Sequence, residues 1–316
     1  MIHVQKKTLY LILVLVLLKS VSFGYHSYED QCMGTVFNIL IDEDNSTASK
    51  SAAQEAFQEA NRLNLILSDY LNDSELSRFS RSSYEGNYFK LSNDLFTVLK
   101  FGQKISHDTN GSFDMTIGLL SRLWRIARFQ NTLPDPDKIR TAHSLSGYRH
   151  LKLNSHKKTG RLTIPGVKLD LGGLAKGYTA DQMLKKLQQK GMPRCLIDAG
   201  GDLVIGDPPR DSKGWRIKVA GAKNHLLYPL ILSNTAIATS GDHEQFLFLD
   251  GKKFSHIIDP HTGMGLTSQV QATVIAPTGI QADAFASASV VMGAEKSGHY
   301  FKRFKGVKVY FSTTLD

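Results

Sequence analysis

The sequence predicts an α+β protein built on mixed or antiparallel sheet. Three observations lead there. Residues 51–67 space their apolar side chains as an amphipathic helix does. The second half of the chain alternates short apolar runs with glycine-rich turns, the texture of strands that are not joined by regular helical crossovers. No Gly-x-Gly-x-x-Gly follows a strand at the start of a βαβ unit, so a doubly wound dinucleotide fold has no support.

Residues 36–41 are short and mostly apolar and read as a strand. In 51–67, Ala53, Ala56, Phe57, Ala60, Leu63 and Leu67 recur at helical spacing with polar residues between them. Residues 68–81 are polar and irregular and read as a loop. A second helix is expected over 91–109, where Asn110-Gly111 ends it. The apolar runs 166–171, 195–197, 203–205 and 271–275 read as strands. A helix is expected over 176–189, stopped by Gly191 and Pro193. Residues 283–292 have helical spacing of small and apolar side chains.

Composition narrows the function classes. With 316 residues, 41% hydrophobic and 21% charged, the chain can bury one sizeable core and carries no disorder signature. Lys6, Lys7 and Lys19 supply three of the nine excess positive charges, and residues 1–24 contain no acid. The other basic residues are scattered, apart from pairs such as Lys157-Lys158 and Lys252-Lys253. A nucleic-acid footprint would be a concentrated stripe, so a nucleic-acid partner is not expected, and a mildly basic surface suits small anionic ligands.

The first 24 residues read as an export signal. Lys6 and Lys7 precede a ten-residue apolar run, residues 9–18, and Ser22 and Gly24 fall where the small residues of a cleavage site belong. That run is shorter than the roughly 20 residues of a comfortable membrane span, so cleavage is expected, leaving a single domain of residues 25–316. Retained instead, the segment would tie the protein to the inner membrane. Glu29-Asp30-Gln31 before Cys32 is unlike a lipobox. Cys32 and Cys195 are the only cysteines. Two cysteines make no disulfide framework and match no zinc spacing, so both are expected to be buried, inert thiols.

Five segments cluster small and polar residues where a core would want apolar bulk. In Asp170-Leu-Gly-Gly-Leu-Ala-Lys-Gly-Tyr178 the backbone can approach a ligand, a helix start follows, and Lys176 adds a charge for a phosphate. The same segment also suits a plain strand-to-helix turn. Asp198-Ala-Gly-Gly-Asp202 fits a turn against a ligand or an ordinary hairpin. Ala238-Thr-Ser-Gly-Asp242 supplies hydroxyls that could bind phosphate or cap their own turn. Ser255-His-Ile-Ile-Asp-Pro-His-Thr-Gly263 places His256 and Asp259 at a turn, where a histidine can act as a base. In Gln281-Ala-Asp-Ala-Phe-Ala-Ser287, Asp283 and Ser287 stand four apart and share a helix face, where both can reach one hard cation. As a plain alternative, Asp283 could be a helix N-cap.

In this order and spacing, the five segments resemble the ApbE family of FAD:protein FMN transferases. Met33-Gly34-Thr35, Leu67-Ser-Asp-Tyr70 with Asp73-Ser-Glu-Leu76, and Gly111-Ser-Phe-Asp-Met-Thr-Ile-Gly118 with Trp124 look like three earlier blocks of that family. The likeness runs from about Cys32 to Gly293. It implies an α+β, T-fold-like single chain and a reaction: FAD is cleaved at its pyrophosphate, AMP leaves, and FMN is esterified to a threonine or serine of a partner. Magnesium is the implied metal. The implied acceptors are exported flavoprotein subunits of redox-driven ion pumps.

Residue by residue, the resemblance assigns Asp283 and Ser287 to the metal, with the backbone carbonyls of Gly173 and Ala286. It assigns Met33, Tyr70, Ser112, Phe113, Asp114, Lys176 and Ile258 to the flavin nucleotide. His256, together with Asp259, falls beside the reacting phosphates, where it would deprotonate the acceptor hydroxyl. Ser287 departs from the family's usual threonine but keeps the hydroxyl. The short tail leaves the family's final strand in question. A FAD pyrophosphatase giving FMN and AMP, and a non-catalytic FAD-binding protein, are the competing readings.

Overall fold

A computed structural model describes residues 25–82, 87–219, 229–241, 246–249, 251–268 and 270–313. The expected export signal, residues 1–24, and Asp242 lie outside the described residues. In chain order the elements begin with β1 (Tyr25–Cys32), β2 (Thr35–Asp42), α1 (Ser46–Leu67), α2 (Glu75–Ser82), β3 (Phe89–Lys90), α3 (Asn93–Asp108), α4 (Gly118–Gln130) and α5 (Pro136–Ser144). Next come β4 (Leu151–Asn154), β5 (Thr159–Leu162), α6 (Ala175–Gln189), β6 (Cys195–Ala199), β7 (Asp202–Ile205), β8 (Trp215–Ile217), β9 (Leu230–Leu232) and β10 (Thr235–Ser240). The chain closes with β11 (Phe246–Leu249), β12 (Lys252–Ser255), β13 (Val270–Ala276), α7 (Gly279–Met292), α8 (Ala294–Phe301) and β14 (Lys308–Thr313).

The centre is a seven-stranded sheet in the order β1-β2-β6-β7-β10-β13-β14, with every neighbouring pair antiparallel. Side chains alternate between its faces, as the two-residue strand period requires. Ile197, Val204, Ala236, Ala238, Val274 and Ala276 face the helical side. Leu196, Leu203, Ile205, Ile237 and Ile275 face the other side, where Trp215 and Ile217 of the β8–β9 hairpin cover them. Helix α6 packs on β6 and β7, α7 on β10 and β13, and α1 lies over α6 and β1. The small Ala236, Ala238 and Ala276 let the small-residue face of α7 approach the sheet closely. A second core gathers Leu120, Trp124, Ala127, Ala142, Leu247, Phe254 and Ile258 beneath α4 and the β11–β12 hairpin.

The expected α+β class holds. Helix α1 starts earlier than its apolar rhythm does, because Asn45 caps it: Asn45 Oδ1 accepts the Ala48 N–H at 3.0 Å. Residues 68–81 are not all loop. Helix α2 forms because Leu76 and Phe79 supply one fully buried stripe, while Ser74 Oγ accepts the Ser77 N–H at 3.0 Å. The polar residues between them hid so narrow a stripe. Residues 166–171 alternate in burial as a strand would but make no ladder; Lys168 joins Ile117 in a single parallel bridge. Strand β14 pairs along β13. Among the described residues, no helix is long and apolar enough to cross a membrane.

Cys32 and Cys195 are free and buried, as expected. Burial pushes the Cys32 thiol up to about 11 and the Cys195 thiol up to about 12. Thiolate is the reactive form. The folded protein should therefore leave a thiol reagent such as dithionitrobenzoate unreacted at neutral pH, and both thiols should react in denaturant. Rapid labelling of either thiol in the native state would contradict this burial.

Candidate functional site

One end of the sheet gathers pieces that lie far apart in sequence. The β1–β2 turn at Met33-Gly34, the β6–β7 turn at Gly200-Gly201 and the end of β10 at Ser240 all fall there, because these strands run antiparallel in register. Gly200 has φ +66, and a Cβ on it would meet the Thr35 side chain. Only glycine lets these two turns touch. Met33 has φ +51 and is half-buried, with its Sδ accepting from Thr179 Oγ1 of α6 at 3.4 Å.

Helices α6 and α7 meet at the same end through two glycines. A Cβ on Gly177 would collide with the Gly279 carbonyl oxygen, and a Cβ on Gly279 with the Gly177 carbonyl oxygen. This close crossing brings the Gly177 N–H within 3.1 Å of Asp283 Oδ2. Lys176 then stands between two carboxylates, paired with Asp202 and 4.0 Å from Asp283 Oδ2. Asp283 is 3% exposed. Burial, followed by the opposing effect of Lys176, moves its carboxyl up to about 7. In Gly177→Ala the added methyl should wedge the two helices apart. Overpacking of this kind typically costs about 1–3 kcal/mol, so the melting temperature should fall. A variant as stable as the parent would show that the contact is not tight.

Asp283 is not an N-cap. Helix α7 begins at Gly279, a full turn earlier, and its Gly279 and Ile280 amides are taken by Asp181 at 2.6 and 3.0 Å. Asp283 is therefore an interior helical carboxylate facing α6. The start of α6 is also less open to an anion than its sequence suggests. The Leu174 and Ala175 amides bond to Leu171 O at 2.9 and 2.8 Å, and Gly177 serves Asp283. Lys176, rather than a cradle of free amides, is the cationic group of this segment.

Ser287 lies one turn beyond Asp283 on α7. Its Oγ is 3.2 Å from Ser240 Oγ, and a Cβ on Gly173 would sit 2.9 Å from it and 3.2 Å from Phe113 Cε2. Gly173, Phe113 and Ser287 thus pack so closely that any side chain on Gly173 would collide with the Ser287 hydroxyl. Ala286 is fully buried on the same helix. Carboxylate, hydroxyls and carbonyls are the donors a hard divalent cation takes, and magnesium needs few of them when phosphates and water complete its shell. The arrangement fits magnesium. Among the described residues, no group of three or more His, Cys, Asp and Glu could hold a metal, so such a site is sparse.

Ser112 is half-buried, and its N–H bonds to Thr109 O at 3.1 Å. Asp114 accepts from Thr116 N and Oγ1 at 2.7 Å each and from Tyr148 N at 2.7 Å. Both of its oxygens are engaged, which ties this turn to the chain at Tyr148. Tyr70 is 73% exposed, with the Arg125 guanidinium 4.2 Å from its ring centroid.

His256 is half-buried at the end of β12, in a loop folded tightly on itself. Ser255 N donates to Leu266 O at 2.7 Å, and Leu266 N to Ile257 O at 2.9 Å. Asp259 Oδ1 accepts the His261 N–H at 2.9 Å, so part of this carboxylate serves the turn. Trp124 Nε1 donates to Gly263 O at 2.9 Å, and His143 Nε2 is 3.0 Å from Pro260 O. The Ile258 side chain is buried in the second core, so the loop can offer a nucleotide its Ile258 backbone rather than its side chain. His261 reaches the Gly111 turn, where a Cβ would be 3.4 Å from its Cε1.

No local sequence pattern marks Asp202, Ser240 or Arg125 as site residues. The first two lie inside the small, polar segments 198–202 and 238–242, but only the sheet register brings them to Lys176 and Ser287.

A model of the ApbE family matches residues 33–311. The FAD:protein FMN transferase of Klebsiella pneumoniae (strain 342) is 30% identical over 293 residues, covering 89% of this chain and 82% of that protein. The FAD:protein FMN transferase of Vibrio cholerae is 31% identical over 275 residues, covering 84% and 80%. Among solved structures, the flavin transferase ApbE from Vibrio cholerae superposes with a TM-score of 0.78 at 28% identity, covering 92% of this chain and 98% of that one. The apo form of Pseudomonas stutzeri flavinyl transferase ApbE, at 23% identity and a TM-score of 0.80, shares the fold over 95% and 94%.

Proposed function

The chain belongs to the ApbE family, and on that premise we propose how it works as a FAD:protein FMN transferase: magnesium-dependent, exported, and acting on a hydroxyl of a partner flavoprotein. The observation that carries the reading is the meeting of Lys176, Asp202 and Asp283 on the helix pair whose Ser287 is approached closely by Gly173. Buried carboxylates paired with a lysine at the mouth of a hairpin are costly for stability alone and suit a site that handles metal and phosphate.

The reaction transfers a phosphoryl centre. The acceptor's threonine or serine oxygen attacks the phosphorus on the FMN side of FAD. The bond from that phosphorus to the bridging oxygen breaks, and AMP leaves with the oxygen. The hydroxyl proton goes to His256, which passes it to solvent. Such transfers need positioning and charge neutralisation more than covalent help. Asp283 and Ser287, with the carbonyls of Gly173 and Ala286, would hold magnesium, which neutralises pyrophosphate charge when bound. Lys176 adds a positive charge from the α6 side, and Tyr70, Met33 and Phe113 border the space for the flavin nucleotide. Ser287 keeps the needed oxygen, so replacing it with threonine should leave metal binding intact, whereas alanine should weaken it.

The leader of residues 1–24, with its paired lysines and apolar run, supports export to the periplasm, where flavoprotein subunits of redox-driven ion pumps are the proposed acceptors. Magnesium dependence is tested by removing the metal. Treatment with a chelator should stop AMP release from FAD in the presence of acceptor, and added magnesium should restore it. AMP release that continues in excess chelator would remove the metal from the account.

A further inference from the structure

Arg125 has no part in the reaction described above. It lies on α4 with its side chain largely buried, and three groups converge on it. Its Nη1 pairs with Asp69 at 2.6 Å and its Nη2 with Asp170 at 2.9 Å. Its guanidinium carbon stands 4.2 Å from the centroid of the Tyr70 ring. Asp170 Oδ1 also accepts the Gly172 N–H at 2.7 Å, which fixes that carboxylate within the turn leading to Gly173. Burial, and then the neighbouring Asp170, moves Asp69 up to about 6, opposed by Arg125. The two carboxylates would repel without the cation between them.

We propose that Arg125, clamped edge-on by Asp69 and Asp170, is a positioning residue that presents the Tyr70 ring for stacking on the planar ring system of the flavin. The proposal rests on the function inferred above. A guanidinium is flat: its edges hydrogen-bond carboxylates while its face stays available to an aromatic ring. Both carboxylates sit on short connections, one after α1 and one before α6. Arg125 therefore fixes an exposed tyrosine relative to the wall that carries Gly173. A solvated tyrosine on a loop would otherwise pay rotational entropy when it orders against a ligand. A lysine could satisfy one carboxylate but could not span both and lie flat on the ring.

The test is a double-mutant cycle on binding, without turnover. Arg125→Met and Tyr70→Ala should each weaken FAD binding about tenfold, by an amount typical of a lost desolvated ring–cation contact. If Arg125 acts through Tyr70, the double variant should bind FAD within about twofold of the weaker single variant. ADP, which lacks the ring, should bind Arg125→Met as it binds the parent. Arg125→Lys should fail to restore FAD affinity, and it replaces Arg125→Met in the cycle if the methionine variant does not fold. Effects that multiply in the double variant, or ADP weakened as much as FAD, would overturn the positioning role alone. A parent protein that binds no FAD would instead overturn the function on which the proposal rests.

Discussion

Asp283→Asn should abolish flavin transfer, lowering its rate by at least about a thousandfold, the scale on which loss of transition-state charge stabilisation is felt, while the protein stays folded. Asparagine keeps the size of the side chain and an oxygen for the Gly177 N–H, now 3.1 Å from Asp283 Oδ2. It removes the charge. Lys176 retains Asp202 as its partner, so no cation is orphaned in the interior. A carboxyl pushed up to about 7 by burial is held against its own preference, so its neutral replacement should leave the melting temperature unchanged or raised. Loss of activity with full stability is the signature of a group kept for ligand rather than for fold. A variant that transfers flavin at the parent rate would remove Asp283 from the site. Asp283→Ala is the less clean change, because it also leaves the Gly177 amide buried without an acceptor, a defect that costs roughly 1–3 kcal/mol.

The second large effect is expected at His256. General-base help to a reacting hydroxyl is worth roughly a hundredfold to ten thousandfold, so His256→Ala should lower transfer by that order. FAD affinity should change little. The loop around His256 is pinned by its own hydrogen bonds and by Trp124, so an alanine there should not unfold it. An unchanged transfer rate in His256→Ala would refute the role of His256 as base.

Several parts of the structure could be read from the chain, and the reasons are local. Helices α1 and α6 declare themselves through spacing and end signals, and β6, β7 and β13 through short apolar runs between glycines. Strand β1 could not be read this way. It is an edge strand rich in polar residues, and only its pairing along β2 makes it a strand. Helix α2 escaped because two buried side chains, Leu76 and Phe79, are all its apolar face requires. The candidate site divides along the same line. Asp283 and Ser287 are four apart on one helix, so their shared face is visible in sequence. Asp202 reaches Lys176, and Ser240 reaches Ser287, only through the order of an antiparallel sheet, a non-local property. Arg125 is 56 residues from Asp69 and 45 from Asp170, and no local pattern marks it. Resemblance to a family pointed to Gly173 and Ala286, because backbone carbonyls leave no trace in side-chain chemistry.

The two serines also sharpen the expectation for the metal. Ser287 lacks the methyl of the threonine that the resemblance implies, and Ser240 brings a second hydroxyl to 3.2 Å. The oxygen count of the site is preserved without the branched side chain.

The central claim is that this site joins flavin to a protein rather than merely cleaving or holding FAD. Mass spectrometry of an exported flavoprotein subunit, incubated with this protein, FAD and magnesium, tests it most directly. The account predicts an acceptor heavier by one esterified FMN on a threonine or serine, with AMP released in equal amount, and neither product with Asp283→Asn. An unmodified acceptor accompanied by free FMN and AMP would contradict it in favour of hydrolysis, and FAD recovered intact would contradict it in favour of binding alone.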